Sequence, residues 1–401
     1  MSTKSDNANK GPLSGIRVID ATHMLAGPYC TWLLASLGAE VIKVERPMGG
    51  DYTRGVAPFK DDGSIYFNSV NRNKRSLTLN LKDEEGKAVL RKLLSTADVF
   101  VENNRAGAMA RLGFGYETVR EYNPGLVYAA ISGFGQDGPY KHLPSFDVVA
   151  QAMSGMMSIT GEEFGPPARV GISLGDIGSG LFTTVGVLAA LVDKERNGGT
   201  GAFIDISMLD CQLAMMENAV ARFLQVGDVP KRLGSRHALI APFQAFPTAD
   251  EPIAICVDTE EQWQRLCVAM DCAVWIDDPL LRDGPLRARN HAHLEPLMKT
   301  RLTEFGREHW LKTLQAADVP CSPINTVAEA IADPQVQHRG MIVEVPAHSG
   351  NRYVKHPLHM PYTEMVEEQP SPTLGEHSAS VLEELGFSEE QILAYKARGV
   401  I

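Results

Sequence analysis

With 401 residues, 44% of them hydrophobic and 22% charged, the chain has the composition of a soluble globular protein large enough for two or more units. A formal net charge of −11 argues against a nucleic-acid partner, and no apolar run reaches the roughly 18 to 20 residues that cross a bilayer. The polar start from Met1 to Gly11 has no hydrophobic export core, and six cysteines without a Cys-x-x-Cys pair read as reduced packing residues, so the expectation is a cytoplasmic protein.

Ile16 to Asp20 reads as a short strand, followed by a turn with Gly27-Pro28, a helix from Tyr29 to Leu37, and a second strand from Val41 to Glu45. Strand, helix, strand in about 30 residues is a βαβ unit. The alternation continues with strands at Ser76–Leu81, Val99–Glu102 and Leu126–Ile131 and helices at Glu84–Ser95 and Ala108–Tyr122. This predicts an α/β fold, a Rossmann-like doubly wound parallel sheet with ligands at the carboxyl ends of its strands.

Farther on, an apolar segment enters Gly175-Asp176-Ile177-Gly178-Ser179-Gly180 and continues as a helical stretch, Leu181 to Val192. A strand at Ala202–Ser207 and a helix at Leu209–Gln225 follow, and Val229-Pro230-Lys231-Arg232 marks a boundary. Beyond it, a hairpin within Phe243–Val257 and helices near Glu261–Met270, Leu294–Phe305 and His309–Ala317 make a smaller α+β domain. The expected division is residues 1–215 together with 340–401 as the large domain and 230–330 as the small one, with linkers at 216–229 and 331–339. Helices at Ser378–Leu385 and Ser388–Lys396 are expected to pack on the large domain.

The aspartate among glycines is the most informative feature. At the mouth of a helix, Asp176 is held ionised by the dipole and by backbone N–H groups, and bare glycines let a substrate approach it. Alone, the decapeptide also describes an N-cap aspartate on an ordinary buried helix. A dehydrogenase reading of the first βαβ unit fails at its loop: Ala21 to Pro28 contains one glycine and no Gly-x-Gly-x-x-Gly. Basic residues gather instead at predicted strand ends and loops: Arg46, Arg54, the run Arg72-Asn73-Lys74-Arg75, Lys82, Arg105 and Arg111. Such a rim suits a phosphorylated, adenine-containing ligand such as coenzyme A. His291-Ala-His293 and His356-Pro-Leu-His359 have no acidic or cysteine partners at ligand spacing, so no metal is expected.

Several stretches carry a family resemblance: Thr22 to Pro28, Leu37 to Pro47, Gly50-Asp51-Tyr52-Thr53-Arg54, Asn73 to Ser76, Val101-Glu102-Asn103, Arg111-Leu112-Gly113, Ser132 to Gly135, Gly175-Asp176 and Leu374-Gly375-Glu376-His377. The chain resembles the class III CoA-transferases of the CaiB/BaiF type, which include formyl-CoA and crotonobetainyl-CoA:carnitine transferases. The resemblance implies transfer of coenzyme A from an acyl-CoA donor to a carboxylic acid through mixed-anhydride and aspartyl-CoA intermediates, with Asp176 as nucleophile. It also implies CoA contacts at His23, Leu25, Ala26, Arg46, Leu79, Lys82, Asn103, Arg105, Arg111 and the segment Pro144 to Asp147, including Phe146 and Asp147. No permanently bound cofactor is implied, coenzyme A being substrate, and the partner is a second copy in an interlocked homodimer.

Two alternatives share the fold. The related α-methylacyl-CoA racemases carry a histidine directly before the aspartate that matches Asp147; here Phe146 stands there and cannot exchange protons. A non-catalytic CoA-binding protein is the other, and the intact glycine-aspartate run argues against it. Leu25 stands where the formyl-CoA transferase group has glutamine, and that group's multi-glycine loop is missing around Ala241 to Asp250. Both features point from oxalate and formate toward a small dicarboxylic acid such as succinate, or a branched or unsaturated acid. Arg54, Arg72 and Arg169 are the candidates for a second carboxylate.

Overall fold

A computed structural model describes residues 10–60, 63–345 and 350–401, and most of the polar start lies outside the described residues. The chain divides into two compact units, one of residues 1–156, 170–226 and 338–401, the other of residues 157–169 and 227–337.

Six parallel strands form the sheet of the first unit: β1 (Arg17–Ala21), β2 (Glu40–Glu45), β3 (Lys74–Thr78), β4 (Val99–Glu102), β5 (Val127–Ser132) and β6 (Phe203–Ser207). Their order is β3-β2-β1-β4-β5-β6. The direction of winding reverses between β1 and β4, which opens a crevice at the carboxyl ends of those strands. Neighbouring residues on each strand serve opposite faces, as the two-residue period demands. Ile19, Ile42 and Phe100 join a core with Leu90, Leu93, Phe114 and Leu382, whereas Val18, Val41 and Val101 join one with Leu34, Ala35 and Val187. The C-terminal helices Ser378–Glu384 and Glu389–Ala397 belong to the first of these cores through Val381, Leu382 and Tyr395.

The outer edge of β3 does not stay open. His377 N–H donates to the Ser76 carbonyl at 2.9 Å, Gly375 N–H to Ser76 Oγ at 2.9 Å and Thr78 N–H to Ser378 Oγ at 3.1 Å.

Several elements differ from the sequence expectation. The helix expected over Ala108–Tyr122 is two, Ala108–Arg111 and Tyr116–Tyr122, separated at Gly113, whose φ is +90°. The stretch Leu209–Gln225 breaks into Met208–Met215 and Glu217–Val226. The helix expected from Leu181 begins at Leu174 and runs 23 residues to Arg196. By length and composition alone it could cross a membrane, unlike the shorter run read from sequence. In this fold it lies against the helix Ala26–Ser36, so closely that a Cβ on Gly180 would stand 2.7 Å from the Ala26 carbonyl oxygen.

The second unit has a three-stranded antiparallel sheet of β7 (Phe243–Phe246), β8 (Ile253–Cys256) and β9 (Cys321–Pro323), ordered β9-β8-β7. Its core gathers Phe246, Ile255, Trp263, Leu266, Met298 and Trp310. Arg287, buried over the Trp263 ring, is held by Glu260 at 2.8 and 2.9 Å.

Candidate active site

The loop after β1 is fixed by charge. Asp20, at the end of β1, accepts from Thr22 N–H at 2.9 Å and from Thr31 Oγ1 at 2.7 Å, and Lys74 Nζ donates to it at 3.0 Å. Lys43 Nζ lies 2.9 Å from Asp51 and donates to the Thr22 carbonyl at 2.9 Å. Asp51 in turn accepts from Met24 N–H at 3.1 Å, which supports a left-handed φ of +65° at a side-chain-bearing residue. Burial alone would raise Asp20 and Asp51, but the lysines hold both carboxylates below their ordinary range. Asn103 clamps the same loop from β4, donating to the His23 carbonyl at 2.7 Å and accepting from His23 N–H at 2.9 Å.

A cavity of about 670 Å³ opens above this loop at the carboxyl ends of β1 to β4. His23, Arg46, Leu79 and Lys82 line it, together with Thr22, Asp51, Tyr52 and Asn104. Arg46 lies over the Tyr52 ring at 4.4 Å, and His23 meets the edge of that ring at 5.4 Å. Burial lowers the His23 pKa, so the imidazole is neutral at pH 7. Leu25 and Ala26 are not among the lining residues; they begin the helix Ala26–Ser36, with Leu25 at its N-cap. Asn103 acts on the His23 backbone, and Arg105 and Arg111 are exposed on the segment after β4.

The basic rim read from sequence is smaller in the folded chain. Arg54 is bound to Glu45 by two contacts of 2.7 Å and also donates to the Pro372 carbonyl. Arg72 is buried, paired with Glu368 at 3.0 Å and set over the rings of Trp32 and Tyr353. Lys74 serves Asp20, and Arg75 bridges Glu40 and Glu384. Neither Arg54 nor Arg72 therefore remains for a substrate carboxylate, and Arg169 lies exposed in the second unit.

Asp176 sits in the first turn of the helix Leu174–Arg196, three residues past the N-cap Ser173. This overturns the N-cap alternative. The turn is anchored one residue earlier, where Gly175 N–H donates to Asp147 Oδ1 at 2.8 Å. Asp147 is 6% exposed, and Gln151 Nε2 donates to its two oxygens at 3.0 and 2.9 Å. The residue before it, Phe146, is 66% exposed. A Cβ on Gly175 would stand 2.5 Å from Gln212 Nε2, a buried donor without a hydrogen-bond partner among the described residues. Half-buried Tyr66 feels Asp176, Asp51 and Asp147; burial first, then those carboxylates, pushes its hydroxyl up to about 12. Sequence reasoning missed Tyr52, Tyr66, Asn104 and Gln212 as site residues. Only Tyr52, inside a quoted family stretch, carried a signal.

A family model described as CoA-transferase family III matches residues 13–378. The succinate–glutarate CoA-transferase of Agrobacterium fabrum is 40% identical over 385 residues, covering 94% of this chain and 96% of that protein. The acetyl-CoA:oxalate CoA-transferase of Acetobacter aceti is 40% identical over 382 residues, covering 95% of this chain and 97% of that one. The crystal structure of a CAIB/BAIF family protein from Brucella suis matches with a TM-score of 0.83 at 34% identity, covering 94% of this chain and all of that one. With this agreement in sequence and in fold, the chain belongs to CoA-transferase family III.

Proposed function

We propose that this enzyme moves coenzyme A from an acyl-CoA donor to a small dicarboxylic acid, with Asp176 as the covalent nucleophile. The observation that carries the reading is the position of Asp176, in the first turn of a 23-residue helix beside a glycine whose backbone is pinned by Asp147. The helix N-terminus favours the ionised carboxylate, and the fixed turn reduces the motion that must be frozen before attack.

Chemically, an Asp176 oxygen attacks the thioester carbonyl carbon and the C–S bond breaks, leaving a mixed anhydride and CoA thiolate. The thiolate attacks the aspartyl carbonyl of that anhydride and releases the donor as its carboxylate, which leaves an aspartyl-CoA thioester. The acceptor carboxylate repeats these steps in reverse. Every nucleophile is already an anion at neutral pH, so no general base is required.

The cavity lined by His23, Arg46, Leu79 and Lys82 is the proposed seat of coenzyme A, and Arg105 and Arg111 are proposed to meet its phosphates from the exposed segment beside it. Leu25 and Ala26 are proposed to contact it through backbone at the helix start, with Asn103 holding the loop and Phe146 adding apolar contact. An interlocked homodimer is also proposed. Exposed Leu181, Phe182 and Val185 on the Asp176 helix, with exposed Val148, Val149 and Met153 on the helix Asp147–Ser154, support a covered apolar face.

The two relatives at 40% identity are named for succinate, glutarate and oxalate, which supports short dicarboxylic acids as the acceptor class. Oxalate thus returns to the class from which Leu25 had argued it away. Offering a panel of C2 to C6 mono- and dicarboxylic acids with succinyl-CoA and acetyl-CoA, read by mass spectrometry, tests the proposal. Dicarboxylates should become CoA thioesters in preference to monocarboxylates, and an inert panel would sink the reading.

A further inference from the structure

Four charged side chains lie under the β1 loop with almost no solvent contact: Asp20, Lys43, Asp51 and Lys74 are 0, 0, 3 and 4% exposed. Their pairing is uneven. Lys74 Nζ donates to Asp20 Oδ2 at 3.0 Å, to Asn71 Oδ1 at 2.8 Å and to the Pro28 carbonyl at 3.1 Å. Lys43 Nζ is 2.9 Å from Asp51 and 3.9 Å from Asp20. Asp20 thus has direct contact with Lys74 and a longer ion pair with Lys43, and Lys43, in direct contact with Asp51, reaches both aspartates.

We infer that Lys74 is a positioning residue for acyl-CoA binding, acting through Asp20 and Lys43 on the loop Thr22–Met24 that borders the cavity. The inference rests on reading that cavity as the acyl-CoA site.

While Lys74 is charged, Asp20 is neutralised where it stands, and Lys43 is left to Asp51 and the Thr22 carbonyl. Without that charge Asp20 keeps its hydrogen bonds from Thr22 and Thr31 but faces only Lys43, 3.9 Å away, and so draws that cation in. Its shift takes the partner from Asp51 and the donor from the Thr22 carbonyl, which loosens the support of the left-handed backbone at Met24. Thr22 and His23, which line the cavity, follow directly from that backbone.

The ionisable groups that face Lys74 are Asp20 from β1, Lys43 from β2, Asp51 from the segment after β2 and Cys30 from the helix Ala26–Ser36. Burial pushes Lys74 down to about 8 against the pull of Asp20, whereas the two aspartates raise Lys43 despite its burial. Burial pushes the Cys30 thiol up to about 12, which leaves it neutral throughout. Loss of charge in this cluster therefore begins at Lys74.

Linkage gives a clean readout. Between about 8 and the ordinary lysine value of 10.5 the unfolded chain binds more protons at this residue than the folded one, so Lys74 titration does not lower stability as pH rises. The expected profile is a KM for acyl-CoA that is flat to about pH 7.5 and rises toward about tenfold per pH unit above about 8, with kcat changed less than about threefold and a melting temperature that does not fall along that limb. Lys74→Arg, charged at every pH, should abolish the alkaline limb.

A wild-type KM flat to about pH 9.5 would overturn the inference. So would a limb that persists in Lys74→Arg, or one that tracks a falling melting temperature. Should that variant fail to fold, the wild-type KM and melting profiles decide alone. An enzyme that turns over no acyl-CoA at pH 7 defeats the proposed function instead, which keeps the two failures distinct.

Discussion

Gly175 and Asp147 are joined by a 2.8 Å hydrogen bond from backbone N–H to carboxylate, one residue before Asp176. The bond ties the first turn of one helix to the start of another, Asp147–Ser154, so the candidate nucleophile has a fixed backbone even though its side chain is half-buried. The Asp147 carboxylate accepts from both Gly175 N–H and Gln151 Nε2, which holds the two helix starts together.

Asp147→Ala leaves Gly175 N–H and Gln151 Nε2 without this acceptor, at about 1 to 3 kcal/mol for each unpaired group. The expected result is a fall in kcat of about 10- to 100-fold with a smaller change in the KM for acyl-CoA, measured by steady-state kinetics. An unchanged kcat would show that the anchor does not matter to the reaction.

Asp176→Ala removes the nucleophile and should lower turnover by at least about three orders of magnitude while acyl-CoA still binds by calorimetry. Wild-type enzyme given donor without acceptor should carry CoA on the peptide containing Gly175-Asp176-Ile177, cleaved by hydroxylamine to a hydroxamate. An active enzyme that never yields this adduct under acid quench refutes the covalent route.

Gly175→Ala places a methyl group 2.5 Å from Gln212 Nε2 and 3.1 Å from Asp147 Oδ1. Something must move, and the turn that carries Asp176 moves with it. We expect kcat to drop by more than about tenfold, and Gln212→Ala in the same chain to restore part of it, since the truncated side chain makes room. Additive losses in the double variant would contradict this.

Arg72→Gln breaks a buried ion pair and leaves Glu368 uncompensated, which should cost about 3 to 5 kcal/mol in urea unfolding. The order of preference among acceptor acids should stay as in wild type. A reordered preference would return Arg72 to the substrate site.

Much of the sheet was legible because buried parallel strands are rich in Val and Ile between turns, as at Val41, Ile42 and Val44, with Lys43 the polar exception. The start of the Asp176 helix was not. Gly175, Gly178 and Gly180 lower helix propensity over that turn, and packing against the helix Ala26–Ser36, where Gly180 meets the Ala26 carbonyl, overrides it. The cavity residues His23, Arg46, Leu79 and Lys82 were found through resemblance, and the geometry assembles those four around one space. The basic rim was overcounted because charge partners are distant in sequence: Arg72 meets Glu368, and Arg75 meets Glu384. Nothing in local composition announces such partners. Tyr66 was passed over for a similar reason, because its relation to Asp176 exists only across the fold.

The contacts of Ser76 and Thr78 with residues 375–378 reach forward by some 300 positions. Synthesis delivers the β3 edge some 300 residues before its cover. Until that cover emerges the nascent sheet exposes a strand border to other chains, and edge-to-edge pairing is the hazard of that interval. The Gly375–Ser378 segment closes this border as a late-arriving plug. Loss of that segment would be felt first as aggregation during production, in protein whose catalytic machinery is otherwise intact.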